Sequence, residues 1–188
     1  TIERFEEVTE DVPLNAFLWS FKMGAKTDDD FAIADLTSDL LGRDESSFLH
    51  QKLAVELKLV SNISAYVSGD RDPGMLIISG KLNENVSFEA VENEVWGIIN
   101  QVKTECVSDF ELTKVKNKFE TAHIYGEMSV MNKAMNLGYA ELIGDVNGIN
   151  TELSEYEAVQ VEDIKEWAGQ FLTEESVCRL HVKKENNE

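Results

Sequence analysis

The segment from Val60 to Leu82 constrains this chain more than any other. Residues 60–68 (VSNISAYVS) place Ile63, Ala65 and Val67 on one side and Asn62, Ser64 and Tyr66 on the other. A period of two marks a half-buried strand, so the Ile63, Ala65 and Val67 face is predicted to be buried. Gly69-Asp70-Arg71-Asp72-Pro73-Gly74 follows as a dense turn signal, and residues 75–82 (MLIISGKL) return as a second strand. A hairpin pairs its strands antiparallel, so the rest of the chain must pack on an antiparallel sheet.

Most of that rest reads as helix. Residues 14–23 (LNAFLWSFKM) form an apolar strand between Pro13 and Gly24. Thr27 is then placed to cap a helix whose first turn holds Asp28, Asp29 and Asp30, where the helix dipole favours negative charge. Phe31, Ile33, Ala34, Leu36, Leu40 and Leu41 make its apolar stripe, and Gly42 is expected to end it. A short helix is predicted over 45–57. Ser87 can cap the next one, which carries Phe88, Val91, Val95, Trp96, Ile98, Ile99 and Val102. Ser108 and Glu111 have capping-box spacing and open a long helix through Phe119. A break near Gly126, a helix over 129–142 and a loop over 144–148 come next. Helices over 151–158 and 161–172 precede a last alternating strand at 176–182 (SVCRLHV), and the polar tail 183–188 is expected to fray. Strands and helices are grouped rather than alternating. The expected class is therefore α+β, one domain over 1–188, with a mostly antiparallel sheet and helices on one face.

Charge narrows the partners. Lys and Arg number 17 against 36 Asp and Glu, a formal net charge of −19. Such a surface repels phosphate backbones and anionic bilayers, so neither nucleic acid nor an anionic membrane is expected to bind. Solubility is the simplest account of the acidity, and attraction of basic peptides is the alternative. No apolar run has bilayer-spanning length. No signal pattern opens the chain, which reads from Thr1 as a soluble part of a longer protein whose compartment stays open. Cys106 and Cys178 make neither a disulfide framework nor a CxxC metal site.

Catalytic and nucleotide-binding motifs are missing. There is no phosphate-binding glycine loop, no G-x-S-x-G elbow, and neither H-E-x-x-H nor H-x-x-E-H. Glu120, His123 and Glu127 could share a helix face and hold a divalent ion. In an acidic chain such triples arise by chance, and a solvated polar face explains this one better. Helix-start chemistry likewise explains Asp28, Asp29 and Asp30 without a cation. His50 and His181 read as ordinary surface or packed residues.

Four stretches, in order, resemble the second half of the pitrilysin/insulinase zinc metallopeptidases, a family that includes mitochondrial processing peptidase. The first is the strand–helix unit 13–42, ending in DLLG. The second, residues 46–53 (SSFLHQKL), is similar to the family's Ser-Ser-Arg-Leu-x-x-x-Leu. The third, residues 107–116 (VSDFELTKVK), is similar to Val-Thr-x-x-Glu-Leu-x-x-Ala-Lys. The fourth, residues 156–164 (YEAVQVEDI) with Trp167-Ala168 and Phe171-Leu172, resembles Tyr-x-x-Val-Thr-x-x-Asp-Ile and its trailing residues.

The resemblance implies two similar α+β halves facing each other across a peptide-holding chamber. Zinc sits on H-x-x-E-H in the N-terminal half. Lacking that motif, this chain resembles the C-terminal, non-zinc-binding half. Zinc is then expected in the full-length parent or in a partner chain. The implied partners are the N-terminal half, a related subunit in a homo- or hetero-dimer, and a peptide substrate. That half often supplies an Arg and, seven residues later, a Tyr to bind and polarise the substrate. The aligned positions here are Ala54 and Ser61, so no catalytic residue is expected in this chain. Ala54 has no donor, and Ser61 is too short to do a tyrosine's work, although it could hydrogen-bond a peptide backbone. Phe48 stands for the family's Arg after the Ser pair and Lys58 for its Gly before Leu. Either a partner chain supplies the missing pair, or the assembly acts as an inactive scaffold.

Overall fold

The structure is a computed structural model and describes residues 4–105, 107–144 and 146–185. Cys106 lies outside the described residues. The described elements run β1 (Arg4–Glu10), β2 (Ala16–Lys22), α1 (Phe31–Gly42), a π helix (His50–Glu56), β3 (Val60–Ser68) and β4 (Met75–Leu82). Then come α2 (Phe88–Glu105), α3 (Asp109–Glu127), α4 (Val130–Ile143), α5 (Gly148–Ala158), α6 (Val161–Phe171) and β5 (Cys178–Lys184). The strands form one sheet in the order β1-β5-β2-β4-β3. β2 pairs antiparallel with β4 and β5, and β3 antiparallel with β4, while β1 adds to β5 in parallel. The α+β class and the mostly antiparallel sheet are as expected.

Helices cover one face of the sheet. Phe17, Trp19 and Phe21 of β2, Ile63 and Ala65 of β3, and Leu76, Ile78 and Leu82 of β4 all point into the core. Val91, Val95 and Ile99 of α2, Leu36, Leu40 and Leu41 of α1, and Ile164 and Ala168 of α6 close over them. The opposite face keeps Leu18, Tyr66 and Met75 exposed. The alternation predicted for Ile63, Ala65 and Val67 is observed, but Val60 and Ser61, read as outer and inner, are reversed by the irregularity between Val60 and Asn62, which buries Val60 and exposes Ser61.

Several local expectations change. The strand β1 has an almost wholly exposed pattern, so no buried side marks it in the sequence; backbone pairing with β5 makes it a strand. That pairing also carries β5 through Lys183 and Lys184, inside the stretch expected to fray. Helix α1 begins at Phe31, not after Thr27, and its N-cap residue Asp30 makes no side-chain cap bond. Asp28 instead accepts from the Ala25 backbone N–H at 2.9 Å, and Asp30 accepts from Trp167 Nε1 at 2.9 Å. A local turn bond at Asp28 and a tertiary bond at Asp30 occupy these carboxylates in place of the helix end.

Gly42 is the last helical residue and needs no left-handed backbone, since Arg43 continues in the right-handed helical region at φ −78°. A Cβ on Gly42 would lie 2.5 Å from the Ala65 backbone nitrogen, so its absence lets α1 approach β3. The capping signals at Ser87 and Ser108 hold, with Ser108 and Glu111 forming a reciprocal box, and Ser129 also caps α4. The break near Gly126 falls at Met128, and α5 starts at Gly148 rather than Thr151.

Asp44, just past α1, ties the loop to α3 through Lys118 Nζ at 2.9 Å and accepts from Ser46 at 2.7 and 2.8 Å. Partial burial pulls its carboxyl upward, but the bonds from Lys118 and Ser46 outweigh this and hold it at about 2. A carboxyl depressed in the folded state stabilises above its unfolded value and loses that contribution as pH falls through its folded value. The side chain is 35% exposed, so solvent screening keeps the gain small. Asp44→Asn is expected to cost less than about 1 kcal/mol at pH 7. In urea denaturation at stepped pH, the gap to the unaltered protein should close between about pH 4 and pH 2.

Candidate functional site

The four family-like stretches supply core residues. In the second, Ser47, Leu49 and Leu53 are buried, and in the third, Val107, Leu112 and Val115. In the fourth, Tyr156 sends its hydroxyl to Asp35 Oδ2 at 2.8 Å and stacks its ring 3.5 Å from Phe119, while Ile164, Trp167, Ala168 and Leu172 are buried. Burial chiefly, then the facing Asp35 carboxylate, drives the Tyr156 phenol far above its ordinary value, so it stays a neutral donor. Lys116 donates to the backbone carbonyls of Glu157 and Val159, binding α3 to the carbonyl end of α5.

The positions aligned with the family's Arg and Tyr lie on the π helix and on β3. Ala54 is half-buried and packs against the core. Ser61 is exposed at the start of β3, where the register with β4 shifts between Val60 and Asn62. Its Oγ donates back to the Lys81 carbonyl at 3.3 Å. Bulges of this kind often re-aim a side chain beside a functional site. Here the re-aimed group is a short hydroxyl already engaged by its neighbouring strand. The nearby Lys52 ammonium is held by Glu56 at 2.7 Å. His50 opens the π helix with Nδ1 3.0 Å from the Glu45 carbonyl.

Lys58, standing where the family has Gly, takes a left-handed backbone at φ 53°. The Leu59 N–H closes onto the Leu53 carbonyl at 2.8 Å, and the Leu57 N–H onto Lys52 at 3.0 Å, so the chain turns out of the π helix as at a glycine C-cap. A β-carbon in this region is strained. Lys58→Gly is expected to stabilise the fold by about 0.5–1 kcal/mol, read as a raised urea midpoint at constant slope.

A cleft of about 150 Å3 lies where the loop before α1 meets α3, α4 and α5. Lys26 Nζ reaches Glu152 at 3.4 Å, and His123 Nδ1 lies 3.6 Å from the other oxygen of that carboxylate. Tyr139 donates to Asp70 at 2.5 Å, a bond that raises its phenol to about 12. Glu127 turns to Lys133 at 3.2 Å. Thus Glu120, His123 and Glu127 do not converge. Among the described residues, no group of three or more His, Cys, Asp or Glu side chains is placed to hold a metal ion.

His181 is buried on β5, stacked 3.9 Å from Phe88 and edge-on to Phe5 at 4.9 Å, with Nε2 2.9 Å from Glu92 Oε1. It is a packed residue that joins β1, β5 and α2. Partners so far apart in sequence left no local signal for that role.

The family-like stretches build the core of this α+β layer, and the cleft carboxylates Glu127 and Glu152 are engaged in internal pairs. A family model described as the peptidase M16 inactive domain matches residues 1–119, and the chain belongs to that family. The fold superposes with a TM-score of 0.91 on a protease from Helicobacter pylori, at 21% identity, covering 96% of this chain and 44% of that one. It also matches the inactive peptidase domain from Bordetella parapertussis with a TM-score of 0.85, at 16% identity, over 96% of both chains. The zinc protease PqqE of H. pylori is 22% identical over 163 residues, 87% of this chain. The chain spans only 37% of that relative's length. Among the described residues, no helix is long and apolar enough to cross a membrane.

Proposed function

We propose that this chain is the non-catalytic wall of a zinc metalloendopeptidase, facing a zinc-bearing N-terminal half across a chamber that holds peptides. The observation that carries this reading is the division of labour among its motifs. Every family-like stretch contributes to the core, whereas Ala54 and Ser61 offer no free donor to a substrate. Zinc then belongs to the companion half, where it would activate water for attack on the peptide carbonyl. A related subunit supplying Arg and Tyr in trans would complete substrate polarisation.

The test is to measure zinc content and hydrolysis of a fluorogenic peptide for this chain and for its full-length parent. Zinc-dependent cleavage by the parent, lost on chelation, with none from this chain, is the expected result. Stoichiometric zinc and cleavage by this chain alone would overturn the assignment. The replacement of the Arg and Tyr favours a second reading, an inactive scaffold subunit. Metal-free, inactive parent protein that still assembles with a related subunit would establish that alternative.

A further inference from the structure

The sheet is apolar on the side its helices leave open. Leu18 lies opposite Leu180 there, and Ala16 opposite Val182. Ile77 sits between Ser20 and Tyr66 on the same side. Leu18 is 36% exposed, Met75 41% and Tyr66 42%. An antiparallel sheet with one solvated face normally carries polar side chains on it. β4 instead opens MLIIS, apolar on both faces, as in strands that are covered on both.

Charge on this side departs from that of the chain. Residues opposite one another in register share a face. The open side of β5, β2, β4 and β3 therefore carries Lys184, Lys22 and Lys81 and, among the described residues, no carboxylate. Only the outermost strand β1 brings acids, Glu6 and Glu10, together with Arg4. Among the described residues none of the three lysines joins an ion pair, whereas Lys26, Lys52, Lys118, Lys133 and Lys183 all do. Lys81 lies opposite Ala16, and Lys22 is the last residue of the same strand. The two cations thus bracket the patch about 20 Å apart, the span of an extended peptide of about six residues. Ser20, Ser64 and Ser79 lie within it, the last two sharing a hydroxyl hydrogen bond at 3.2 Å. Hydroxyls that can bond a peptide backbone suit a passing substrate, whereas permanent interfaces are depleted in serine.

We infer that this open face is the peptide-contacting wall and that it selects segments in which acidic side chains flank an apolar stretch, and disfavours basic ones. This rests on the proposed two-half peptidase and names the peptides it takes. The whole-chain charge of −19 points instead to basic peptides. Local charge decides, because exposed charges beyond a Debye length of about 8 Å are screened at physiological salt, while lysines beside the peptide are not.

The experiment follows the fluorescence anisotropy of two labelled peptides that share one apolar centre, flanked by glutamates in one and by lysines in the other. The glutamate peptide is expected to bind this chain about tenfold more tightly at low salt, with the preference shrinking as salt rises. Lys22→Glu combined with Lys81→Glu changes only exposed side chains, so circular dichroism and Tm should hold while the preference inverts. Equal binding of the two peptides, binding of neither, or a preference that survives the charge reversal would overturn the inference. The full-length parent, kept metal-free by a chelator so that neither peptide is cut, should show the same preference. A parent that binds neither peptide has this face covered by another part of its chain, which would also overturn the inference. The readout is binding without zinc, so a parent that never cleaves peptides would sink the peptidase reading without deciding this one.

Discussion

Trp19→Ala is expected to cost about 3–5 kcal/mol, most of the stability of a domain this size. Trp19 sits on β2, the middle strand of the sheet, and is fully buried. Its neighbours in register are Ile78 on β4 and Arg179 on β5. Its ring meets Phe17 at 6.2 Å, Phe21 at 6.5 Å and Trp96 of α2 at 5.2 Å. Alanine would leave an indole-sized hole among rigid strands that cannot close over it. Trp19→Phe separates volume from polarity. Among the described residues, the Trp19 Nε1 donor has no hydrogen-bond partner, so phenylalanine removes an unmet polar group while keeping an aromatic ring. The expected cost is below about 1.5 kcal/mol. Urea denaturation followed by far-UV circular dichroism distinguishes the two. Similar losses for both variants would contradict the packing described.

Gly42→Ala is expected to destabilise by about 2 kcal/mol, although alanine is the better helix former by about 1 kcal/mol. The added Cβ would lie 2.5 Å from the Ala65 nitrogen and 2.8 Å from the Ala65 Cβ. The nearest obstacle is backbone in a paired strand, so relief requires α1 to lift off β3. Gly144 gives the contrast. It caps α4 at φ 91° with open space around it, and Gly144→Ala should cost only about 1 kcal/mol, through backbone strain alone. Denaturation midpoints that ranked the two the other way would place the helix–sheet contact elsewhere.

Much of this architecture was legible before any coordinates. The β3–β4 hairpin, the α2 stripe and the serine caps rest on neighbouring residues, and each appears as expected. The family assignment was legible for a related reason: its motifs are core and capping residues, whose order survives low identity. Less legible were β1, Asp28, Asp30 and His181. The first is held by backbone bonds to a strand far along the chain, Asp30 and His181 by partners distant in sequence, and Asp28 by a turn bond from Ala25 that competes with helix capping. The absence of H-x-x-E-H was visible at once. That Glu120, His123 and Glu127 do not meet was not, because helix spacing aligns side chains without saying which neighbours claim them.

Periodicity and capping chemistry act over a few residues, and the sequence alone therefore determined the types of most elements, the α+β class, the strong negative charge and the missing zinc motif. Contacts between distant segments were decided only in the folded chain. There β1 joined β5 in parallel, Gly42 became a point of helix–sheet approach instead of a helix terminator, and α4 was left with its apolar stripe facing water. Each depends on which surfaces meet, and a free energy summed over tertiary contacts is not written in any single stretch of residues.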